Sequence, residues 1–219
     1  MGKEIDLLVN YPKTKRDVEE RDNAKNEEDR TIARKFGREF FDGERRHGYG
    51  GFTYHSRFWQ PVVPAFRERF QLQSGDVLLD VGCAKGFMLH DFAELIPGLK
   101  VTGIDISGYA IENVIEDMRP FCQIADAREL PFADKTIDVV VSINTVHNLN
   151  RAECIVALRE IERVSRRGSF ITVDAYRTDV EKEAMLAWNL TGQTILHVND
   201  WKALFDEAGY TGDYFWFIP

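Results

Sequence analysis

Four residues in one short segment, Asp80, Gly82, Ala84 and Gly86 of VLLDVGCAKG, have the types and spacing to hold a nucleotide-type ligand. Glycines remove Cβ where a backbone must turn sharply or approach a ligand closely. A carboxylate ahead of such a bend, with an amphipathic segment after it, reads as a strand, a tight turn and a helix start. In open parallel sheets ligands sit beyond the carboxyl ends of the strands, near helix N-termini. The G-x-A-x-G spacing is one residue shorter than the G-x-G-x-x-G that lays a pyrophosphate on a helix N-terminus, which argues against a dinucleotide. A second acid, Asp105, ends VTGID nineteen residues after Gly86. A carboxylate there can accept both hydroxyls of a ribose; the plainer alternative is a turn or helix-capping residue ahead of Ser107.

These residues need a scaffold, and the hydrophobic pattern supplies one. Val77, Leu78, Leu79 and Val81 make the near-continuous apolar run of a strand covered on both faces. Met88, Leu89, Phe92, Ala93 and Ile96 trace one helix face, which Pro97-Gly98 ends. A second strand follows over 101–105, a helix face over Ala110, Ile111, Val114, Ile115 and Met118, and a third strand over 121–125 that delivers Asp126 and Ala127. The fourth strand, 137–143, runs into NTVHNL. Asn150 and Glu153 have capping-box spacing before a helix that Arg166-Arg167-Gly168 closes. A fifth strand over 169–176 brings Asp174 and Tyr176 to its end; an inserted helix over 178–191, a helix from Asn199 to Gly209 and a strand over 214–218 complete the chain. The expected fold is α/β, a doubly wound, mostly parallel Rossmann-like sheet of six or seven strands.

With Asp80 in front, the loop resembles the D-x-G-x-G-x-G motif of class I S-adenosylmethionine-dependent methyltransferases, Ala84 standing for the middle glycine. Asp105 and the stretch ADARELPFADKTIDVVVS resemble that family's next landmarks, so the resemblance covers about residues 70–215. It implies S-adenosyl-L-methionine as cofactor, held by Asp80, Gly82, Cys83, Ala84, Gly86, Asp105, Ile106, Asp126, Ala127 and Asn144. Asp105 would take the ribose hydroxyls, Asp126 the adenine amine, and the Ala127 N–H a ring nitrogen; Asp138 reads as structural. Amino-group methyltransferases acting on nucleic-acid bases or glutamine amides carry an N-P-P-Y type motif where Asn144 stands. Here Thr145, Val146 and His147 follow, without either proline, which turns the expectation away from those substrates.

The GYGG-aromatic-Tyr-Arg segment resembles small methyltransferases of bacterial surface-polysaccharide clusters, which implies a small polar or sugar-linked acceptor, methylated at oxygen. His147 is the candidate general base, since an imidazole takes a proton near neutral pH; the alternative is a packed or capping histidine. Tyr54, His55, Arg57, His147 and Tyr176 are the candidate acceptor contacts. Two other functions compete: a catalytically silent methyltransferase-like partner subunit, and a nicotinamide-dependent oxidoreductase.

A chain of 219 residues suits one α/β domain. Its formal charge of -8 argues against broad binding of nucleic acid, which needs a basic surface. Cys83, Cys122 and Cys154 form no C-x-x-C pair, so neither a disulfide framework nor a metal site is expected. The absence of a long apolar run predicts no membrane span, and with the cysteine usage a cytoplasmic location. Residues 1–70 read as an N-terminal arm and helical cap or lid: a charged arm over 1–30, a helix over 27–41 and a flexible, ring-rich loop in DGERRHGYGGFTYHSRFWQP. Residues 71–219 read as the S-adenosylmethionine-binding domain. Length for only one strand remains after the last helix, and the sheet edge so exposed suggests a possible homodimer.

Overall fold

Leu78, Leu79, Val139, Val140, Phe170 and Ile171 are fully buried, because the strands that carry them are covered on both faces. The computed structural model describes residues 2–13, 18–23 and 25–219. Its strands are β1 (Val77–Val81), β2 (Lys100–Asp105), β3 (Cys122–Ile124), β4 (Ile137–Ile143), β5 (Ser165–Tyr176), β6 (Leu196–His197) and β7 (Asp213–Phe217). They form one seven-stranded sheet ordered β3-β2-β1-β4-β5-β6, with β7 also paired to β5. Every pairing between these strands is parallel. The helices are α1 (Val18–Asn23), α2 (Glu27–Ala33), α3 (Arg38–Asp42), α4 (Ser56–Trp59), α5 (Val63–Phe70), α6 (Phe87–Leu95), α7 (Gly108–Glu112), α8 (Arg151–Val164), α9 (Asp179–Trp188) and α10 (Val198–Ala208).

Successive residues of β1 serve opposite faces, as the period of a strand requires. Leu79 and Val81 join Leu158, Ile161, Trp201 and Phe205 beneath α8 and α10. Leu78 joins Phe66, Phe92, Val139, Val141 and Phe170 beneath α5 and α6. Capping boxes fix the starts of α8 (Asn150 with Glu153) and α9 (Thr178 with Glu181).

Four local expectations change. The helix over 27–41 is two helices, because Phe36 adopts a left-handed φ of 48° and α3 starts anew after Gly37. The helix face over 110–118 is cut at Glu112 and continues as a 3-10 turn over Glu116–Phe121, which contains Pro120. Arg166 and Arg167 lie inside a longer β5 instead of closing α8; Arg166 pairs with Asp138, and Arg167 reaches Asp76 at 2.7 Å. The N-terminal arm is part of the sheet. Ile5 N–H donates to Tyr214 O and Tyr214 N–H to Lys3 O, both at 3.0 Å, and Leu7 is buried in the core. The chain's own residues 3–5 thus cover the start of the outer edge of β7, where an exposed edge is expected from the sequence.

The cap crosses the carboxyl ends of the strands. Arg21 of α1 lies 5.0 Å from the Trp188 ring of α9, and Arg30 Nη1 donates to Asn189 O at 2.6 Å, so cap and inserted helix meet there. Among the described residues no helix is long and apolar enough to cross a membrane.

Candidate active site

At Gly82 the bend between β1 and α6 leaves no room for a side chain. Gly82 has φ +90°, and a Cβ on it would lie 2.0 Å from Thr145 Oγ1. Its N–H and that of Cys83 both donate to Ile104 O, at 2.8 and 2.9 Å, which folds the loop over the end of β2. Ala84 takes the left-handed conformation, φ 50°, that the missing glycine would have adopted freely. Gly86, φ +77°, caps α6. Cys83 backs the loop, its Sγ 2.7 Å from where a Cβ on Gly103 would sit.

Asp105 faces this bend. Its Oδ2 accepts from Ala84 N–H and its Oδ1 from Ser107 N–H, each at 2.8 Å. Among the described residues it enters no ion pair, and burial pushes its carboxyl up against the pull of those hydrogen bonds. Ile106, the next residue, leaves 57% of its surface open and lines the cavity beside Asp105. Ala125, Asp126 and Ala127 line the same wall. The Asp126 carboxylate is clasped by Arg128, with Nε to the two oxygens at 2.9 and 3.0 Å; this holds its pKa below the ordinary carboxylate value.

Two cavities open over the carboxyl ends of the strands and meet at Gly82, Ala84, Asn144 and Tyr49. The first, about 660 Å³, holds Asp105, Ile106 and Asp126 on one side and His147, Asp174 and Trp188 on the other. The second, about 570 Å³, is walled by Tyr11, Phe52, Trp59, Phe87 and Phe215, with Asp80 on its floor. Burial raises the Asp80 carboxyl well above its ordinary value, with the neighbouring Cys122 and Asp105 adding to the effect. Asn144 follows β4 in a left-handed conformation, φ 52°, and is fixed by Thr172: its N–H donates to Thr172 Oγ1 at 2.9 Å, and its Oδ1 accepts from that hydroxyl at 2.8 Å.

His147 sits in the 3-10 turn Val146–Asn148 and lines the first cavity, but both ring nitrogens are engaged. Nδ1 accepts the Asp174 backbone N–H at 3.0 Å, so the neutral ring carries its proton on Nε2, which lies 3.5 Å from Asp174 Oδ2. Burial lowers the imidazole pKa, and the Asp174 carboxylate opposes only part of that. In this arrangement the neutral ring has no free lone pair facing the cavity.

Four expected acceptor contacts lie outside both cavities. Tyr54 Oη donates to Asp91 Oδ1 on α6 at 2.6 Å. His55 and Arg57 are exposed where α4 begins, the Arg57 guanidinium lying 4.8 Å from the Phe58 ring. Tyr176 packs edge-on against His197, 5.7 Å between centroids. From the same loop it is Tyr49 and Phe52 that reach in. Tyr49 keeps 48% of its surface open and lines both cavities, and the protein packed around it pushes the phenol up to about 12.

Sequence reasoning also missed a clamp. Lys85, inside the glycine loop, is buried and donates from Nζ to both oxygens of Asp42 at 2.8 and 2.6 Å and to Phe52 O at 2.9 Å. Tyr109 Oη donates to Asp42 Oδ2 at 2.6 Å. The cap is thereby tied to the cofactor-type loop. Only the lysine's place between two loop residues hinted at this.

Residues 79–173 match the family model described as a methyltransferase domain. The chain is 32% identical over 145 residues to a tRNA (carboxymethyluridine(34)-5-O)-methyltransferase of Arabidopsis thaliana, which covers 64% of this chain and 33% of that one. It is 27% identical over 133 residues to a malonyl-[acyl-carrier protein] O-methyltransferase of Legionella pneumophila, covering 59% and 46%. The chain therefore spans less than half the length of these two relatives. Among solved structures, the [4+2]-cyclase SpnF aligns with TM-score 0.57 and 22% identity over 72% of this chain and 58% of that one. A chain solved in complex with the Haloferax volcanii Trm112 methyltransferase activator aligns with TM-score 0.55 and 19% identity over 90% and 77%. These two likenesses show the fold. Sequence and fold agree over the segment that carries the glycine bend, and residues 79–173 carry the methyltransferase domain that the family model describes.

Proposed function

We propose that the chain transfers a methyl group from S-adenosylmethionine to an oxygen of a small acceptor. The observation that carries this reading is the Asp105 carboxylate, held by two backbone N–H groups at the edge of a bend that admits no side chain at Gly82, and left without a cationic partner among the described residues. A carboxylate so placed suits a vicinal diol. Ile106 offers the adenine ring an apolar face, and the buried Asp80 in the second cavity suits the ammonium of the methionine part. Asp126, Ala127, Gly82 and Asn144 would complete the contacts. The residues present therefore fit S-adenosylmethionine, which supplies when bound a methyl group on a positively charged sulfur that leaves as a neutral thioether.

Displacement at such a carbon needs alignment and dryness more than proton transfer. The cap supplies the second: Phe36, Phe40, Phe41 and Tyr49 roof the first cavity, and the Lys85–Asp42 clamp holds that roof to the loop. The strand ends supply the first, through the left-handed Asn144 and the His147–Asp174 pair on the side away from Asp105. Space between these residues and α9 is the natural acceptor position. Several relatives named as O-methyltransferases support oxygen as the accepting atom.

The test is incubation of the full chain with S-adenosylmethionine and a small-metabolite extract, followed by mass spectrometry. S-adenosylhomocysteine should form in step with a product one methyl heavier than an extract component. No S-adenosylhomocysteine above a protein-free blank, from extracts rich in hydroxylated metabolites, would contradict the reading.

A further inference from the structure

We propose that the acceptor carries an oxyanion, a phosphate or a carboxylate, which binds between Arg21 and Arg45 in the roof of the first cavity. This rests on the methyltransferase reading and names its substrate class.

The chain carries a net charge of -8, yet one side of this cavity is basic. Arg21 and Arg45 both line it, and among the described residues neither pairs with a carboxylate. Both are held in place. Arg45 Nη1 donates to Gly48 O in the glycine-rich loop, and Arg21 Nη1 reaches Arg45 O at 3.4 Å while its guanidinium lies 5.0 Å from the Trp188 ring. Among the described residues, Arg21 Nε is buried without a hydrogen-bond partner, a donor with a place for an acceptor.

Three neighbouring arginines are already paired, while Lys35, which also lines the cavity, is exposed and Lys25 donates to Ala187 O. Arg30 and Arg34 pair with Glu27, and Arg46 pairs with Glu44 and Asp29. Two guanidinium groups held close together repel each other; burial and Arg45 together lower the pKa of Arg21 to about 10. An oxyanion between them would relieve that repulsion and supply the missing acceptor, and arginine's planar fork matches a phosphate or carboxylate with two parallel hydrogen bonds.

Charge across the cavity has a direction. Asp105 and Asp174 lie at the strand ends, Arg21 and Arg45 in the cap. A cationic donor on the acidic side and an anionic acceptor under the basic side attract each other as well as the protein. A neutral sugar would leave both arginines without a counter-charge.

The experiment is calorimetry on the full chain with inorganic pyrophosphate, inorganic phosphate and malonate as probes, at constant ionic strength, with and without saturating S-adenosylhomocysteine. At least one probe is expected to bind, and Arg21→Gln and Arg45→Gln each to weaken it about ten-fold or more, while affinity for S-adenosylhomocysteine stays within about two-fold. Tighter binding of the phosphates than of malonate assigns a phosphate, and the reverse a carboxylate. Arg45→Lys, which keeps the charge, should recover part of the loss, and circular-dichroism melting shows whether each variant is folded. The proposal is overturned if no probe binds at about 10 mM, if both Gln variants bind the probes like the wild type, or if a transfer-RNA-sized RNA binds more tightly than pyrophosphate with the same dependence on both arginines. Failure of S-adenosylhomocysteine to bind would remove the methyltransferase reading, while the probes alone still report on the arginine pair.

Discussion

Asp105 Oδ2 accepts a hydrogen bond from the Ala84 N–H at 2.8 Å, so the residue ending β2 orients itself on the loop that follows β1. The bond joins two segments that must move together to make one ligand site. Because burial raises the Asp105 pKa, its ionised form is lost on acidification sooner than the ordinary value of 3.8 would dictate. Affinity for S-adenosylhomocysteine, followed by calorimetry as pH is lowered from 7, should therefore begin to fall above that value. Asp105→Asn should weaken binding at pH 7 and remove the Asp105 share of this dependence.

Gly82→Ala and Ala84→Gly should differ sharply although both exchange one methyl group. The first puts a Cβ 2.0 Å from Thr145 Oγ1 at φ +90°, and should abolish cofactor binding and lower the melting temperature. The second relieves a left-handed alanine but adds backbone freedom to the unfolded chain, two effects of about 1 kcal/mol and opposite sign. Its melting temperature and its affinity for S-adenosylhomocysteine should stay near those of the wild type.

Breaking the clamp should loosen the cap. Lys85→Met leaves the Asp42 carboxylate and Phe52 O without their main donor, and should cost up to about 3 kcal/mol in denaturant unfolding, since Asp42 is only part-buried. Burial alone would raise the Asp42 pKa, but hydrogen bonds from Lys85, Tyr109 and the Phe52 N–H, with the Lys85 charge, hold it at about 2. A depressed carboxyl stabilises the native state fully above its unfolded value of 3.8, and that contribution is lost as pH falls through about 2. Asp42→Asn should remove this acid-range dependence from the stability curve.

His147 should matter without titrating in catalysis. Its folded pKa is below the ordinary 6.5, so on acidification the unfolded chain takes up the proton first and stability falls as pH drops through that region. His147→Asn should flatten the wild-type decline in melting temperature between about pH 7.5 and 5.5. It should also lower turnover by displacing Asp174, with no shift in the pH profile of the remaining activity. Loss of a limb from that profile would restore His147 as the base.

The parts of the site that were legible are those built from neighbours in sequence. Asp80 to Gly86 announce their bend because a left-handed turn after a buried strand restricts residue types, and Asp105 lies at a strand end that hydrophobic runs locate. The rest depends on distant partners. Nothing around His147 in sequence shows that the Asp174 N–H, 27 residues on, occupies its Nδ1. Whether Tyr49 or Tyr54 faces inward is decided by Gly50 and Gly51, both at positive φ, and by Asp91, which captures the Tyr54 hydroxyl. The charge density of residues 1–30 marks an arm, yet Lys3 N–H donates to Asp213 Oδ1 across 210 residues and Leu7 is buried. Backbone pairing of that kind leaves little trace in composition.

The most direct test is calorimetric titration of S-adenosylhomocysteine into the wild-type chain and Asp105→Ala, with folding of both confirmed by circular dichroism. The account predicts saturable binding at one site per chain, weakened about 100-fold or more in the variant, as the loss of two charge-assisted hydrogen bonds requires. No binding to the folded wild type, or equal affinity for both proteins, would contradict it.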